Sequence, residues 1–351
     1  MANTSNCPYK LRSCVWEITL ACCFSCKYCG SSGGKARPDE LSTEQCLSIA
    51  DQLSELGCRR VSLIGGEVFM RPDWDRIVDR LTSHGIRVGI ITNGFLFTEV
   101  MINRLKAVNI ESVAISLDGP EAIHDKYRQA GSYQRAKNAM YILAENSVHV
   151  SLISTLNQEN VQHLSDFYET IQKWPIFAWQ LQACSPMGNA RKNRLEVDFD
   201  AQYVMDFIAS KLPEAPFSIG IADNIGYFSE NEPVLRGNPF ACFEGCGAGI
   251  VSIGIDSVGN VRGCESMYDD FFIEGNLRER SLKDIWEDDN SFLYNRAFDV
   301  SMLTGSCAKC LMGPLCAGGC RSYNYFTNGG KLYENVLCPR GKRIRESNKE
   351  G

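Results

Sequence analysis

This chain of 351 residues lacks an excess of positive charge: its formal net charge is −6 and its isoelectric point lies near 5.4. Generic binding to a phosphate backbone needs a basic surface, so no nucleic-acid partner is expected. The chain also lacks an apolar run long enough to span a bilayer, so no membrane partner is expected. Its first residues, MANTSNCPYKLRSC, contain no apolar core of a secretion signal. A cytoplasmic protein is therefore expected. No internal repeat is visible. Hydrophobic residues make up 44% and charged residues 22%, which suits an ordinary globular core.

What the chain has in abundance is cysteine, with 17 residues. A short secreted chain would spend them on disulfides. Here the chain is long, carries no secretion signal and groups its cysteines at metal-like intervals, so metal ligation in a reducing compartment is expected. Cys22, Cys26 and Cys29 are spaced C-x3-C-x2-C within ACCFSCKYCG. An iron–sulfur cube takes one soft ligand per iron, so three thiolates leave one iron open. A closed structural zinc site is the alternative, and Cys23 adds a C-x2-C-x2-C run that fits it. A second group begins at Cys246 and runs through twelve residues to Gly259 and four more to Cys264. It continues as Cys307-x2-Cys310-x5-Cys316-x3-Cys320 and ends at Cys338. Zinc knuckles account for the C-x2-C pair but not for this full set of intervals. Cys7, Cys14, Cys23, Cys46, Cys58 and Cys184 fall outside the intervals used and take no role; a buried free cysteine behaves as a small apolar residue.

Short apolar, β-branched runs at residues 15–21, 60–66, 88–94, 112–119, 149–157 and 177–183 read as buried parallel strands. Helical patterns lie between them. The clearest follows Ser42, where Ser42 and Gln45 form a capping-box pattern and Gly57 a stop. Residues 161–174 and 198–212 read as helices as well. Six β/α units in series imply right-handed crossovers and fall short of a closed eight-fold barrel, so the expected fold is α/β, a partial (β/α)6 barrel. Chemistry in such barrels sits at the C-terminal strand ends. Gly65, Gly66 and Glu67 end the second strand, Thr92, Asn93 and Gly94 the third, and Ser116 and Asp118 the fourth. The expected organisation is a barrel over residues 1–212, a Pro-, Gly- and Asn-rich bridge over 213–241, and a small cysteine-rich domain over 242–351, with one helix at 281–298.

The cysteine loop, the GGE tip and the C-terminal intervals together resemble the radical S-adenosylmethionine (SAM) enzymes that carry a SPASM domain. The resemblance covers residues 12–341. It implies that Cys22, Cys26 and Cys29 hold a 4Fe–4S cluster whose open iron binds SAM, and that reduction yields a 5′-deoxyadenosyl radical. It further implies that Gly65, Gly66 and Glu67 meet the SAM amino group, that Ser116 and Arg128 hold ribose and carboxylate, and that Tyr28 lies near the adenine. Asn93 joins this cofactor-binding set. A surface arginine after a turn is the plainer reading of Arg128, and His124 reads as a capping histidine or a proton carrier.

Two closed auxiliary 4Fe–4S clusters need eight thiolates. The SPASM pattern supplies seven, and Cys242 is the expected eighth. By resemblance one auxiliary cluster takes Cys242, Cys246, Cys264 and Cys320, the other Cys307, Cys310, Cys316 and Cys338. Sulfatase maturases place an aspartate where Glu265 stands, as a proton acceptor. Glu265 is either that base or a solvated or cluster-packing residue. The loop CGSSGGKARPDELS and the segment IGGEVFMRPDW look most like peptide maturases of the mycofactocin and pyrroloquinoline quinone type. The resemblance thus implies oxidative modification of a ribosomally made peptide and a flavodoxin- or ferredoxin-type reductant; with no separate recognition unit visible at either end, either a discrete partner binds the leader peptide or the substrate needs no leader. A formylglycine-forming sulfatase maturase, a haem-pathway side-chain enzyme and a non-catalytic electron carrier are the alternatives.

Overall fold

The structure is a computed structural model, and it describes residues 7–222, 225, 227, 229–237 and 243–347. Cys242, expected as a cluster ligand, lies outside the described residues. The strands are β1 (Ser13–Glu17), β2 (Arg60–Ile64), β3 (Arg87–Thr92), β4 (Ser112–Ser116), β5 (Val150–Leu156), β6 (Ala178–Ala183), β7 (Ser218–Ile221), β8 (Ser252–Ile255), β9 (Asn260–Arg262) and β10 (Gly275–Asn276). The chain packs as two compact units. The first comprises residues 1–25, 31–113 and 247–297; the second comprises 26–30, 114–246 and 298–351.

In the first unit the strand order is β10-β9-β8-β1-β2-β3. β8, β1, β2 and β3 are parallel, with Val15 opposite both Ser62 and Gly254, while β9 and β10 turn back antiparallel. Helices at Thr43–Glu55 and Trp74–Ser83 follow β1 and β2. The first begins at Ser42, whose hydroxyl accepts from the Gln45 amide while the Gln45 side chain accepts from the Ser42 amide. That capping box satisfies donors a helix start otherwise leaves unpaired. Val61, Leu63, Trp16 and Trp74 are fully buried, as expected of parallel strands covered on both faces. In the second unit β5, β6 and β7 are parallel over a core of Leu152, Trp179, Leu181 and Phe167. β4 carries the chain from one unit into the other.

All six strands expected from the sequence are present. β7 and β8 were not expected, and they are the same tetrapeptide, Ser-Ile-Gly-Ile. Four residues with an internal glycine give a weak strand signal, and pairing with β6 and β1 supplies what local preference does not. The single helix expected at 281–298 is two short ones, Leu282–Trp286 and Leu293–Arg296. Asp288 accepts from the Asn290 amide and makes a turn between them, and Phe292 enters the left-handed region at φ 59°. Among the described residues no helix is long and apolar enough to cross a membrane.

Candidate active site

The cysteine motif is divided by the two units, with Cys22 in the first and Cys26 and Cys29 in the second. In the first unit the chain leaving β1 runs against the end of β2. The Gly66 amide donates to Thr19 O at 2.8 Å and the Glu67 amide to Ala21 O at 2.7 Å. A Cβ on Gly66 would sit 2.3 Å from Leu20 O, and one on Gly65 2.6 Å from Thr19 O. Both positions need glycine because backbone passes directly over them. Gly34 and Glu40 fold the following loop back onto the same residues: Cys22 N donates to Gly34 O, and Leu20 N and Thr19 Oγ1 donate to the Glu40 carboxylate.

Glu67 is buried and fully engaged. Its carboxylate accepts from Thr92 Oγ1 at 2.7 Å, from the Asn93 amide at 2.8 Å and from the Phe69 amide at 3.4 Å. It thereby caps the turn Val68–Met70 and ties β2 to the end of β3. With its carboxylate so occupied and its carbonyl accepting from the Met70 amide at 3.0 Å, the carbonyls of Gly65 and Gly66 are the better acceptors for an ammonium group. Asn93 Nδ2 faces the Cys23 and Cys22 sulfurs at 3.5 and 3.9 Å.

In the second unit the other half of the cysteine loop is clamped by a segment that sequence reasoning missed. The Asn189 amide donates to Cys29 O at 2.8 Å, Asn189 Nδ2 to Cys26 O at 3.0 Å and Asn193 Nδ2 to Lys27 O at 2.8 Å. Gly188 packs so closely that a Cβ would lie 2.1 Å from Gly30 O. The glycine-asparagine pair after β6 is the only trace of this in the sequence.

Asp118, noted from the sequence only as a strand-end residue, organises the rest. Its side chain is completely buried. One oxygen accepts from Arg128 Nε at 2.5 Å and from the Tyr28 hydroxyl; the other accepts from the Thr155 amide at 3.0 Å and Arg128 Nη2 at 3.3 Å. The guanidinium lies over the Tyr28 ring, 5.3 Å from its centroid. Burial opposes ionisation of Asp118, but Arg128 wins and its acid stays below the usual range. Arg128 is therefore not a surface residue; one edge of its fork is committed to Asp118. His124 Nδ1 accepts from the Asp118 amide at 3.3 Å. Burial holds the His124 pKa down to about 4, so it is a neutral capping imidazole. Ser116 closes β4, half-buried.

Among the C-terminal cysteines, Cys307, Cys310, Cys316 and Cys338 all fall in the second unit. Burial raises the Cys307 thiol to about 11, with Cys338 and Cys310 adding repulsion. Burial raises Cys316 to about 12, and Cys307, Cys338 and Cys310 add to it. Two buried thiols, Cys307 and Cys316, beside the half-buried Cys310 and Cys338 make a donor set of the kind a soft cationic cluster takes. Cys246 and Cys320 lie in the same unit, and Cys264 lies in the other. Arg321, fully buried, donates to Ala317 O at 2.5 Å and to Gly319 O, so it holds the Cys316–Cys320 loop.

Glu265 is buried in the first unit, and neither carboxylate oxygen has a hydrogen-bond partner. The Cys264–Glu265 backbone passes over Gly254 of β8, where a Cβ would meet the Glu265 amide at 2.3 Å. Nearby, Arg37 pairs with Glu17 at 2.5 Å and bonds Tyr268 and Ser257, and Arg262 pairs with Asp256 at 2.8 Å. Burial raises the Glu265 pKa well above the carboxylate range, Glu17 and Asp256 add to this, and Arg262 and Arg37 oppose it.

Comparison with known proteins accounts for this arrangement. The Radical SAM superfamily model matches residues 16–171, and the SPASM iron–sulfur cluster-binding domain matches residues 246–311. Mycofactocin maturase MftC of Mycobacterium tuberculosis is 32% identical over 330 residues, covering 89% of this chain and 79% of that protein. An AdoMet-dependent heme synthase of Methanosarcina barkeri is 25% identical over 337 residues, covering 92% of this chain and 95% of that one. Streptococcus suis SuiB bound to S-adenosylmethionine superposes with a TM-score of 0.75 at 18% identity, covering 94% of this chain and 78% of that chain. SuiB bound to its precursor peptide SuiA gives 0.72. The fold class expected from the sequence, a partial (β/α) barrel followed by a cysteine-rich iron–sulfur region, is the one these matches give.

Proposed function

The chain belongs to the radical SAM superfamily, in its SPASM-bearing branch, and from that membership we propose that it oxidatively modifies the side chain of a ribosomally synthesised peptide. The observation that carries the substrate class is the match to a peptide maturase along 89% of the chain. SAM, cleaved reductively at an iron–sulfur cluster, supplies the 5′-deoxyadenosyl radical that removes a hydrogen atom. The chain's own residues do the rest. Cys22, Cys26 and Cys29 anchor the cluster that binds SAM. The Gly65–Glu67 turn offers carbonyls to the amino group; Asn93 follows β3 and Ser116 closes β4. Arg128, held in place by Asp118, presents its guanidinium to the carboxylate. Tyr28 is locked beside it.

After hydrogen abstraction an oxidised product must lose an electron and a proton. Glu265 takes the proton on a carboxylate oxygen that the fold leaves without a donor. Cys246, Cys264 and Cys320 together with Cys242, and Cys307, Cys310, Cys316 and Cys338, would hold two auxiliary clusters, which would supply a one-electron exit. We assign the enzyme to the cytoplasm, with a flavodoxin- or ferredoxin-type reductant and a discrete leader-binding partner. The barrel, bridge and SPASM limits given above remain our domain assignment. Anaerobic incubation with SAM, reductant and candidate precursor peptides tests the reading. Loss of two hydrogens from the peptide, with 5′-deoxyadenosine formed alongside, supports it. Decarboxylation of a haem precursor with no peptide change would support the haem-synthase alternative, which the 25% match keeps in view.

A further inference from the structure

One stretch of the surface runs against the charge of the whole. Residues 298–347 carry seven basic and three acidic side chains in a chain of net charge −6, and of these Lys309, Lys331, Lys342 and Arg343 are exposed against Asp299 and Glu346. The same stretch exposes apolar side chains. Leu311 is 92% exposed, Val300 49%, Leu315 43% and Met302 37%. They come from pieces packed on one another. Leu303, next to Met302, lies so close to Gly313 that a Cβ there would meet it at 2.9 Å. Leu311 directly follows Cys310, and Leu315 directly precedes Cys316. Cys310 is half-buried, and Lys309 beside it is exposed. The helix Pro339–Ser347 packs on the same piece: Arg345 Nη1 donates to Ser306 Oγ at 2.9 Å, and Gly341 abuts that hydroxyl. Its Lys342 and Arg343 are exposed.

Exposed leucines beside the half-buried Cys310 and the buried Cys316 cost hydration, and monomeric surfaces rarely gather them without use. A basic rim on an acidic protein selects an acidic partner and speeds its approach. A second copy, paired through this face about a two-fold axis, would set the basic rim against itself. Brief electron-transfer encounters use small faces of this kind.

We propose that the surface formed by Val300, Met302, Leu311 and Leu315, rimmed by Lys309, Lys342 and Arg343, docks a small acidic one-electron carrier protein. This rests on reading Cys307, Cys310, Cys316 and Cys338 as ligands of an auxiliary cluster. The electron and proton balance is simple. The substrate carbon radical loses one electron and one proton. A cluster held by Cys307, Cys310, Cys316 and Cys338 would supply that electron to the oxidised carrier, which is reduced by one electron. The proton goes to the protein base and then to water.

The test uses the fully reconstituted protein and a purified acidic flavodoxin. Titration calorimetry at low and high salt gives the affinity, and stopped-flow absorbance gives the rate at which oxidised flavodoxin takes an electron from the reduced protein. Leu311→Glu and a paired Lys342→Glu, Arg343→Glu variant should each weaken binding and slow transfer on the order of tenfold, with the wild-type affinity falling as salt rises. Iron content and dithionite-driven SAM cleavage should not change. Flavodoxin binding and transfer that are unaltered in both variants overturn the proposal. So does a change in oligomeric state or peptide affinity in place of carrier affinity, and so does wild-type protein that shows no salt-dependent binding. A deficit of about four irons in the wild-type protein instead refutes the ligand assignment beneath it.

Discussion

Glu67 and Glu265 are both buried glutamates of the first unit, 1% and 7% exposed, yet they live in opposite surroundings. Glu67 ends β2 and accepts from Thr92, Asn93 and Phe69. Glu265 follows β9 and accepts from nothing. A buried carboxylate surrounded by donors is an element of the fold. One held away from water with no donor costs stability and persists where something outside the chain completes it. Asp118, in the second unit, stands between these cases: it is fully partnered, but two of its partners are the candidate SAM residues Tyr28 and Arg128.

The contrast can be broken in several ways. Glu67→Ala should cost most, about 4 kcal/mol of unfolding free energy in urea titration, because it strands the Thr92 hydroxyl and two amides. A loss below about 1 kcal/mol would show that those donors find water and that the capping role is wrong. Acid gives the next effect. The folded pKa of His124 lies near 4 and its unfolded value near 6.5, so the folded state binds fewer protons. The stability this neutral imidazole contributes is present above pH 6.5 and is lost as pH falls toward 4, by about 3 kcal/mol. His124→Gln should flatten that limb of the stability profile.

Glu265→Gln should leave stability within about 1 kcal/mol, since no hydrogen bond is lost. It should slow peptide oxidation about a hundredfold while 5′-deoxyadenosine still forms. Equal loss of both activities would make Glu265 a structural residue. Gly254→Ala touches no reacting group and should lower stability alone, by about 2 kcal/mol, because the new methyl meets the Glu265 amide. If thermal melts are unchanged, the backbone there is looser than the structure indicates.

Much of this was legible before the structure, and the reasons differ by element. The six barrel strands carry continuous β-branched runs, so their apolar pattern alone identifies them. Ligand spacings declare themselves because chemistry dictates the residue type. Residues that hold the site in place left weaker marks. Asn189 and Asn193 act through side-chain amides on the backbone of Cys26–Cys29, and asparagine after a strand reads as an ordinary loop. Arg128 was read as a ligand-binding fork, and its pairing with Asp118 ten residues earlier is made across the short helix Glu121–Tyr127, at whose C-terminal end Arg128 stands. The broken helix at 281–298 was announced by its Asp-Asp-Asn run, which outweighs the apolar spacing around it.

The central claim is a three-cysteine cluster that binds and cleaves SAM. It is tested most directly by electron paramagnetic resonance of the reduced, reconstituted protein before and after SAM is added, with 5′-deoxyadenosine measured on the same samples. The account predicts a SAM-dependent change in one cluster signal and nucleoside formation, both lost in Cys26→Ala while the auxiliary signals remain. A spectrum indifferent to SAM with no 5′-deoxyadenosine would contradict it.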